Sequence, residues 1–285
     1  MIYFTLPNFY FNFYINNFFI NLSNEKEEFF KEKIIFYNTT GNFPYCYWNG
    51  GYNNNYGKGA LYNDFINCSE KNLAPLRFNC SNIFLKEEDF SNTMANLILN
   101  LNQNGSNLIE ISNLNLYDFL HEKYPDYNFV FSPESDLILE QTSETINILL
   151  ENKLFKIISL NENKSLDINL LKKIKQKEKI ELTINSYCNI NCSNYLTCRY
   201  NSHLNQYNYI KENPYKTCDN SINYQCINPY ITIEDIKEKY LPLGINHFRL
   251  SETISDKNDN LFIFLVNYFI KDEFKKDVYE FFIQT

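Results

Sequence analysis

The 285-residue chain reads as an α/β protein. The fold it predicts is a single (β/α)8 TIM-like barrel over residues 1–285, with a cysteine-rich loop (186–228) at the C-terminal ends of the strands. Three observations predict this. Short apolar runs of strand length alternate with amphipathic helical segments, which is the pattern of a parallel sheet. About eight such units follow one another, the number that closes into a barrel. The length suits one barrel, and 44% hydrophobic residues suffice to fill its core. A doubly wound open sheet is the structural competitor, because periodicity does not distinguish a closed sheet from an open one.

The elements follow in order. Residues 9–15 are rich in aromatic side chains and read as the first strand, and the charged stretch 24–33 as a helix. Residues 34–37 form a second strand. The Gly/Asn/Tyr-rich stretch 38–64 has no periodicity and reads as a long loop of functional interest. Residues 74–79 are the third strand. Phe90, Met94, Leu97 and Leu101 then fall at helical spacing as a core stripe, stopped by Asn104-Gly105. Residues 108–111, 128–131, 155–160 and 180–185 are further strands. Helices are expected at 116–123, ending before Pro125, and at 138–151, with Ile146, Leu149 and Leu150 on one face. Asp167 caps another, which carries Leu170, Leu171 and Ile174. Thr232 caps a helix that ends at Gly244, and residues 247–250 form the last strand. Residues 261–270 read as a buried C-terminal helix.

The bulk properties exclude several classes. A net charge of −8 argues against nonspecific binding to a phosphate backbone. No run reaches the roughly 18–20 apolar residues of a membrane span, so no membrane partner is expected. The N-terminal stretch has no leading positive charges and no small-residue cleavage site, so a secretory signal is not expected. A reducing cytoplasm is the expected compartment, where clustered cysteines favour metal or redox roles over disulfides.

Five of the eight cysteines are clustered, as Cys188-x3-Cys192-x5-Cys198 and Cys218-x7-Cys226. They follow the strand 180–185 directly, so a strand end would present them. Four thiolates suit an iron–sulfur cluster or a structural zinc ion. Zinc knuckles use close Cys-x2-Cys pairs, whereas wide and uneven spacings accommodate a cluster. Cys188, Cys192 and Cys226 are the first ligand choices, Cys218 the fourth and Cys198 the alternate. Cys46, Cys68 and Cys80 lie far off and read as small packing residues, with Cys46 of interest for its neighbours.

Asn185-Ser186-Tyr187-Cys188-Asn189-Ile190-Asn191-Cys192, placed after a strand, resembles the cysteine loop of the U32 peptidase-like family. Pro44-Tyr45-Cys46-Tyr47-Trp48-Asn49-Gly50-Gly51 is similar to that family's Trp-Asn-Gly-Gly loop. Ile231-Thr232-Ile233-Glu234-Asp235, followed by Leu243-Gly244-Ile245-Asn246-His247-Phe248-Arg249-Leu250, is similar to its closing helix–strand unit. The resemblance runs from about residue 34 to residue 250. It implies a barrel holding a cysteine-bound [4Fe–4S] cluster; zinc stays the alternative that the thiolates themselves leave open. It also implies an enzyme or enzyme subunit in oxygen-independent, hydroxylation-type modification of a nucleobase or small molecule, with a partner protein left open. Other members are named collagenase-like peptidases.

The residues themselves give peptidase activity no support. Gly-x-Ser-x-Gly and His-Glu-x-x-His are both missing from the sequence. Of the three histidines, His121 reads as a solvated helix residue and His247 as a packed one. His203, inside the cysteine loop, is placed either as a ligand or acid/base group or as part of the loop's structure. Asn185 could orient a substrate carbonyl or cap the loop. Cys46, Trp48, Asn49, Gly50 and Gly51 are the candidate substrate loop: the glycines allow close backbone approach, and Trp48 either stacks on a planar ligand or is simply buried. Two classes therefore stand side by side, an iron–sulfur enzyme and a metal-stabilised barrel that binds or scaffolds without turnover. A convergent polar set on the strand ends, with candidates Asn79, Asn113, Ser132, Glu134, Asn185 and Glu252, would favour the enzyme.

Overall fold

The computed structural model describes residues 1–43, 46–50, 62–186, 194–207, 228–251 and 258–284. Eight parallel strands close into a barrel: β1 (Ile2–Leu6), β2 (Ile34–Gly41), β3 (Leu76–Cys80), β4 (Leu108–Ile111), β5 (Asn128–Phe131), β6 (Ile157–Leu160), β7 (Ile180–Thr183) and β10 (His247–Arg249). Consecutive strands are neighbours, and β1 completes the ring by pairing with both β2 and β10. A two-stranded antiparallel ladder, β8 (Asn185–Ser186) with β9 (Asn228–Pro229), stands apart from the ring. The fold class expected from the alternation is therefore the one observed.

Helices α1 (Phe13–Glu25), α2 (Tyr62–Lys71), α3 (Thr93–Leu101), α4 (Leu114–Lys123), α5 (Ser143–Glu151), α6 (Glu162–Leu166) and α7 (Ile168–Lys173) connect successive strands. After β7 come α8 (Tyr195–Tyr207) and α9 (Ile233–Asp235), and after β10 come α10 (Asn258–Phe269) and α11 (Lys275–Gln284). Thr232 and Asp235 form the expected capping box, and Gly244 ends that unit at φ +92°, a conformation suited to glycine. Outside the ring, α10 covers the β1–β2 pair: the Phe269 ring lies 4.8 Å from Phe4 of β1 and 5.5 Å from Phe36 of β2.

Four expected elements are corrected. The first strand is Ile2–Leu6, and the stretch 9–15 runs instead into α1. Asn8, at φ 48°, turns the chain after β1. Ile15, Phe19 and Leu22 are buried at helical spacing, a period that the density of aromatic residues concealed. No helix spans 24–33: after α1 there is a single tight turn at Glu27–Phe29. Consecutive Phe29 and Phe30 are both buried, against Phe274 and Phe36, which one helical face could not accommodate. The stripe Phe90, Met94, Leu97, Leu101 is not a core face. Asn92 caps a fresh helix that resets the phase, so α3 buries Ala95, Ile98 and Leu99 and exposes Met94, Leu97 and Leu101. The helix expected at 138–151 starts only at Ser143, capped by Thr142.

The interior of the barrel is ionic. Arg77 of β3 donates from Nη1 to both oxygens of Glu181 on β7, at 2.9 and 2.7 Å, and from Nη2 to Ser159 of β6 at 2.6 Å. The strands β3 and β7 are not neighbours, so this pair crosses the interior. Thr5 of β1 donates to Glu181 at 2.6 Å, and Ser159 donates to its other oxygen. Glu110 of β4 accepts from Arg249 of β10 at 2.9 and 3.1 Å and from Ser132 at 2.9 Å. The Nε of Arg77 lies 2.8 Å from Glu110 but at an angle outside hydrogen bonding, an ion-pair contact only. Two arginines and two glutamates thus neutralise one another out of water.

Burial alone would raise the Glu181 carboxyl, but Arg77, with Arg249, Ser159 and Thr5, holds it at about 2. In the unfolded chain a glutamate sits near ~4.3. The stabilisation is therefore complete above ~4.3 and is lost as pH falls from there toward about 2. We predict that Glu181→Gln lowers stability at neutral pH by roughly 3–5 kcal/mol, because Arg77 loses its counter-charge. The variant should also flatten the fall in melting temperature between about pH 4 and 2. Parallel melting curves for variant and wild type across that range would refute the assignment.

Candidate functional site at the carboxyl end of the barrel

The cysteine segment leaves and re-enters at the carboxyl ends of β7 and β10. Immediately after β7, the Ile184 amide donates to Arg249 O at 3.1 Å, and the Ile184 carbonyl accepts from Tyr230 and Ile231 on the returning chain. Asn185 and Ser186 then pair with Pro229 and Asn228. The Asn185 carboxamide oxygen accepts the Ser251 amide at 2.7 Å, tying the departing chain to the end of β10. Of the two roles open to Asn185, capping the loop is the one displayed. Cys188 and Cys226 each follow or precede this ladder by two positions in sequence. Cys188, Cys192, Cys218 and Cys226 lie outside the described residues. Cys198 is described: it is buried on α8. Among the described residues, no group of three or more His, Cys, Asp or Glu side chains is arranged to hold a metal ion.

Inside that segment, α8 crosses the mouth of the barrel. Its 13 residues span roughly 20 Å, and its buried face carries Tyr195, Cys198, Arg199, Ser202, His203 and Gln206. Arg199 bridges two strand ends. It donates from Nε to Glu134 Oε2 at 3.1 Å and from Nη2 to Glu134 Oε1, after β5, and from Nη1 to Glu162 Oε2 at 3.2 Å, after β6. The Tyr195 hydroxyl accepts from Arg199 and donates to Glu162. Burial opposes ionisation of Glu134, yet Arg199 and then His203 hold its carboxyl well below the usual range. Burial opposes the charge on the Arg199 guanidinium, and Glu134, Tyr195 and Glu162 hold it charged nonetheless.

The far end of α8 is tied to the segment after β3. The His203 ring accepts the Ile83 amide on Nδ1 at 3.4 Å, which assigns its proton to Nε2, 2.9 Å from Glu134 Oε2. The Asn82 side chain donates to His203 O at 3.2 Å, and the Tyr207 hydroxyl donates to Asp89 Oδ2 at 3.0 Å. His203 is fully buried. Its position therefore serves the seating of the helix, and both ring nitrogens are engaged by protein.

The candidate substrate loop reaches the same end of the barrel. Trp48 is fully buried, edge-on to Phe43, and its indole donates to Asp89 O at 2.8 Å. Of the two readings left open for it, the buried indole is the one observed. Asn49 exchanges a pair of 2.8 Å bonds with the Phe43 backbone, which closes the turn. The Asn82 amide donates to Trp48 O at 3.0 Å, and Asn79 donates to Gly50 O at 2.9 Å. Gly50 lies directly on Ser81: a Cβ there would overlap the Ser81 hydroxyl and sit 2.5 Å from its carbonyl. Cys46 is buried beneath this turn, where burial pushes its thiol up to about 12 and only the Trp48 amide opposes it. The loop and α8 meet where the Tyr47 ring stands edge-on to Tyr207, 6.3 Å between centroids. Gly51 lies outside the described residues.

The remaining strand-end candidates are engaged within the protein. Asn79 also donates to Asn42, Asn113 caps α4, and Ser132 joins Glu110 to the amide of Glu134. Glu252 lies outside the described residues. His121 is exposed and His247 is stacked on Tyr3 at 4.7 Å, as expected. Three residues of the site were not anticipated: Tyr195, Arg199 and Glu162. One signal could have found Arg199. The sequence has three arginines, Arg77, Arg199 and Arg249, among 26 basic Lys and Arg residues. Where lysine is this much preferred, each arginine marks a place that needs a planar, multi-donor cation.

No protein-family model matches the sequence, and none of the curated proteins does. The fold is U32 peptidase-like. A solved structure, that of the U32 peptidase Mk0906, aligns with a TM-score of 0.51 over 88% of this chain and 92% of that one, at 10% sequence identity. At that identity the likeness concerns the fold.

The Gly50 contact yields a test. Gly50→Ala should lower stability by about 1–3 kcal/mol, because Ser81 presents backbone as well as side chain to the new methyl. Gly105→Ala meets open space and carries only the strain of its positive φ. A Gly50→Ala protein that melts no lower than Gly105→Ala would show that the two loops are not packed in this way.

Proposed function

We propose that this chain is a U32 peptidase-like iron–sulfur protein. In this reading it takes part in oxygen-independent, hydroxylation-type modification of a nucleobase or small molecule at the carboxyl end of the barrel. The observation that supports the reading is the ladder of Asn185–Ser186 with Asn228–Pro229, which stands at the end of the barrel where barrels carry their chemistry and encloses, in sequence, a stretch with five cysteines. The donor set is chemically suited to the group: Cys188, Cys192, Cys218 and Cys226, with Cys198 as alternate, would supply soft anionic ligands in excess of the four a [4Fe–4S] cluster needs. When bound, such a cluster supplies electron transfer, or a Lewis-acidic iron where one ligand is not a thiolate. The chain's own residues would do the rest. Glu134, Glu162, Arg199 and Tyr195 hold the covering helix, and Asn79, Asn42 and Ser81 present polar groups beside the loop of Trp48.

A second reading, a metal-stabilised barrel without turnover, is favoured by one observation: the strand-end polar side chains described above bond to other groups of the protein. A single experiment separates the alternatives. Protein purified anaerobically should be brown, with broad absorbance near 400 nm and about four irons and four sulfides per chain. Cys188→Ser and Cys192→Ser should each abolish it. Zinc in place of iron would support the structural-metal reading, and a colourless chain free of both metals would defeat the proposal.

A further inference from the structure

The helix that lies inside the cysteine segment is held by a buried ionic joint rather than by apolar packing alone. On one side are two carboxylates from different strand ends, Glu134 and Glu162, and on the other a single guanidinium, Arg199, at 3% side-chain exposure. None of these groups could remain in place unpaired, because a desolvated charge without its partner is strongly unfavourable. The joint is thus all-or-none: with α8 seated, all three groups pair, and with α8 displaced, all three return to water. Tyr195 completes the joint one turn earlier. At the other end of the helix, His203 and Tyr207 fasten it to residues 82–89. In sequence, Cys192 stands three positions before the helix and Cys198 lies on it.

We infer that Arg199 is a positioning residue for the metal centre: by seating α8 on Glu134 and Glu162, it sets where the flanking cysteine segments start, and so controls how fully the centre assembles. This rests on the metal-binding reading above. It goes beyond that reading in assigning control of the site to residues that are not ligands. The joint is separate from the Arg77–Glu181 pair that crosses the barrel, so disturbing it should loosen α8 while leaving the barrel folded.

The test uses the full chain, purified anaerobically and reconstituted with ferrous iron and sulfide, in three variants: Arg199→Met, Arg199→Lys and Glu162→Gln. Two quantities are read, hydrogen exchange over residues 195–207 and iron and sulfide per chain. Arg199→Met should speed exchange in α8 by at least about tenfold, since a buried carboxylate pair loses its cation. Exchange in β4 to β6 should stay unchanged, and bound iron should fall by at least about half. Arg199→Lys should recover part of both, because an ammonium keeps the charge but not the fork of donors. Glu162→Gln keeps an acceptor for Tyr195 and should fall between wild type and Arg199→Met. It carries the test if Arg199→Met does not fold.

Unchanged exchange in α8 for Arg199→Met and Glu162→Gln would overturn the seating role. Faster exchange with full iron content would overturn the coupling. A wild-type chain that takes up no metal would remove the metal reading and the coupling with it, and the exchange data would then report the seating of α8 alone.

Discussion

The pairing of Arg77 with Glu181 across the barrel is the constraint on which the rest of the architecture depends. A guanidinium and a carboxylate with no water to fall back on tolerate little displacement, so β3 and β7 must hold their relative heights for the two forks to meet. Thr5 and Ser159 bring β1 and β6 into the same arrangement, and Glu110 and Arg249 add β4 and β10. Most strands of the ring are therefore registered by charge as well as by their ladders. An all-apolar interior would pack at many registers, whereas in this one the charges meet their counter-charges only near the observed one. Replacing a single member leaves its partner stranded, which makes the interior intolerant of piecemeal change.

The same device recurs at the mouth. Arg199 does for α8 what Arg77 does for the strands, joining segments distant in sequence through a short, desolvated fork. All three arginines join segments distant in sequence through carboxylates, Arg249 doing so from Nη1 to Glu110, while the abundant lysines are left to the surface, as in the exposed pairs with Glu27 and Glu151. An ammonium could supply the charge at these places. It could not donate along two directions in one plane to two different acceptors, which is what Glu134 with Glu162, and Glu181 with Ser159, require.

Much of the fold could be read from the sequence, because the strands after the first are short β-branched and aromatic runs set off by capped amphipathic helices. Asn113, Thr142, Asp167 and Thr232 all cap helices. The errors have local causes. The aromatic density of residues 9–15 hid a helical period near the N-terminus, and Asn92 restarted a helix whose phase had been carried through from Phe90. The site was read less completely. Glu134, Asn185 and His203 were singled out by their place at strand ends or in the cysteine loop. Glu162 and Tyr195 were not, since a carboxylate beginning a short helix and a tyrosine in a loop gain meaning only when an arginine from elsewhere reaches them. Trp48 attracted attention as the sole tryptophan, but it proved to be the wedge that holds the turn before Gly50 against the chain following β3.

The closure of the ring has a consequence for how the protein is made. β1 lies at residues 2–6, yet one of its two edges is covered only by residues 247–249. During synthesis the first strand can pair with β2 almost at once. Its other edge must wait, with unsatisfied amides and carbonyls, until nearly the whole barrel has left the ribosome. Phe4, whose ring packs on Phe248 and Phe269, waits with it. Until β10 is added, the free edge of β1 is a ready template for any other strand, so the closing pair both completes the ring and removes that open edge.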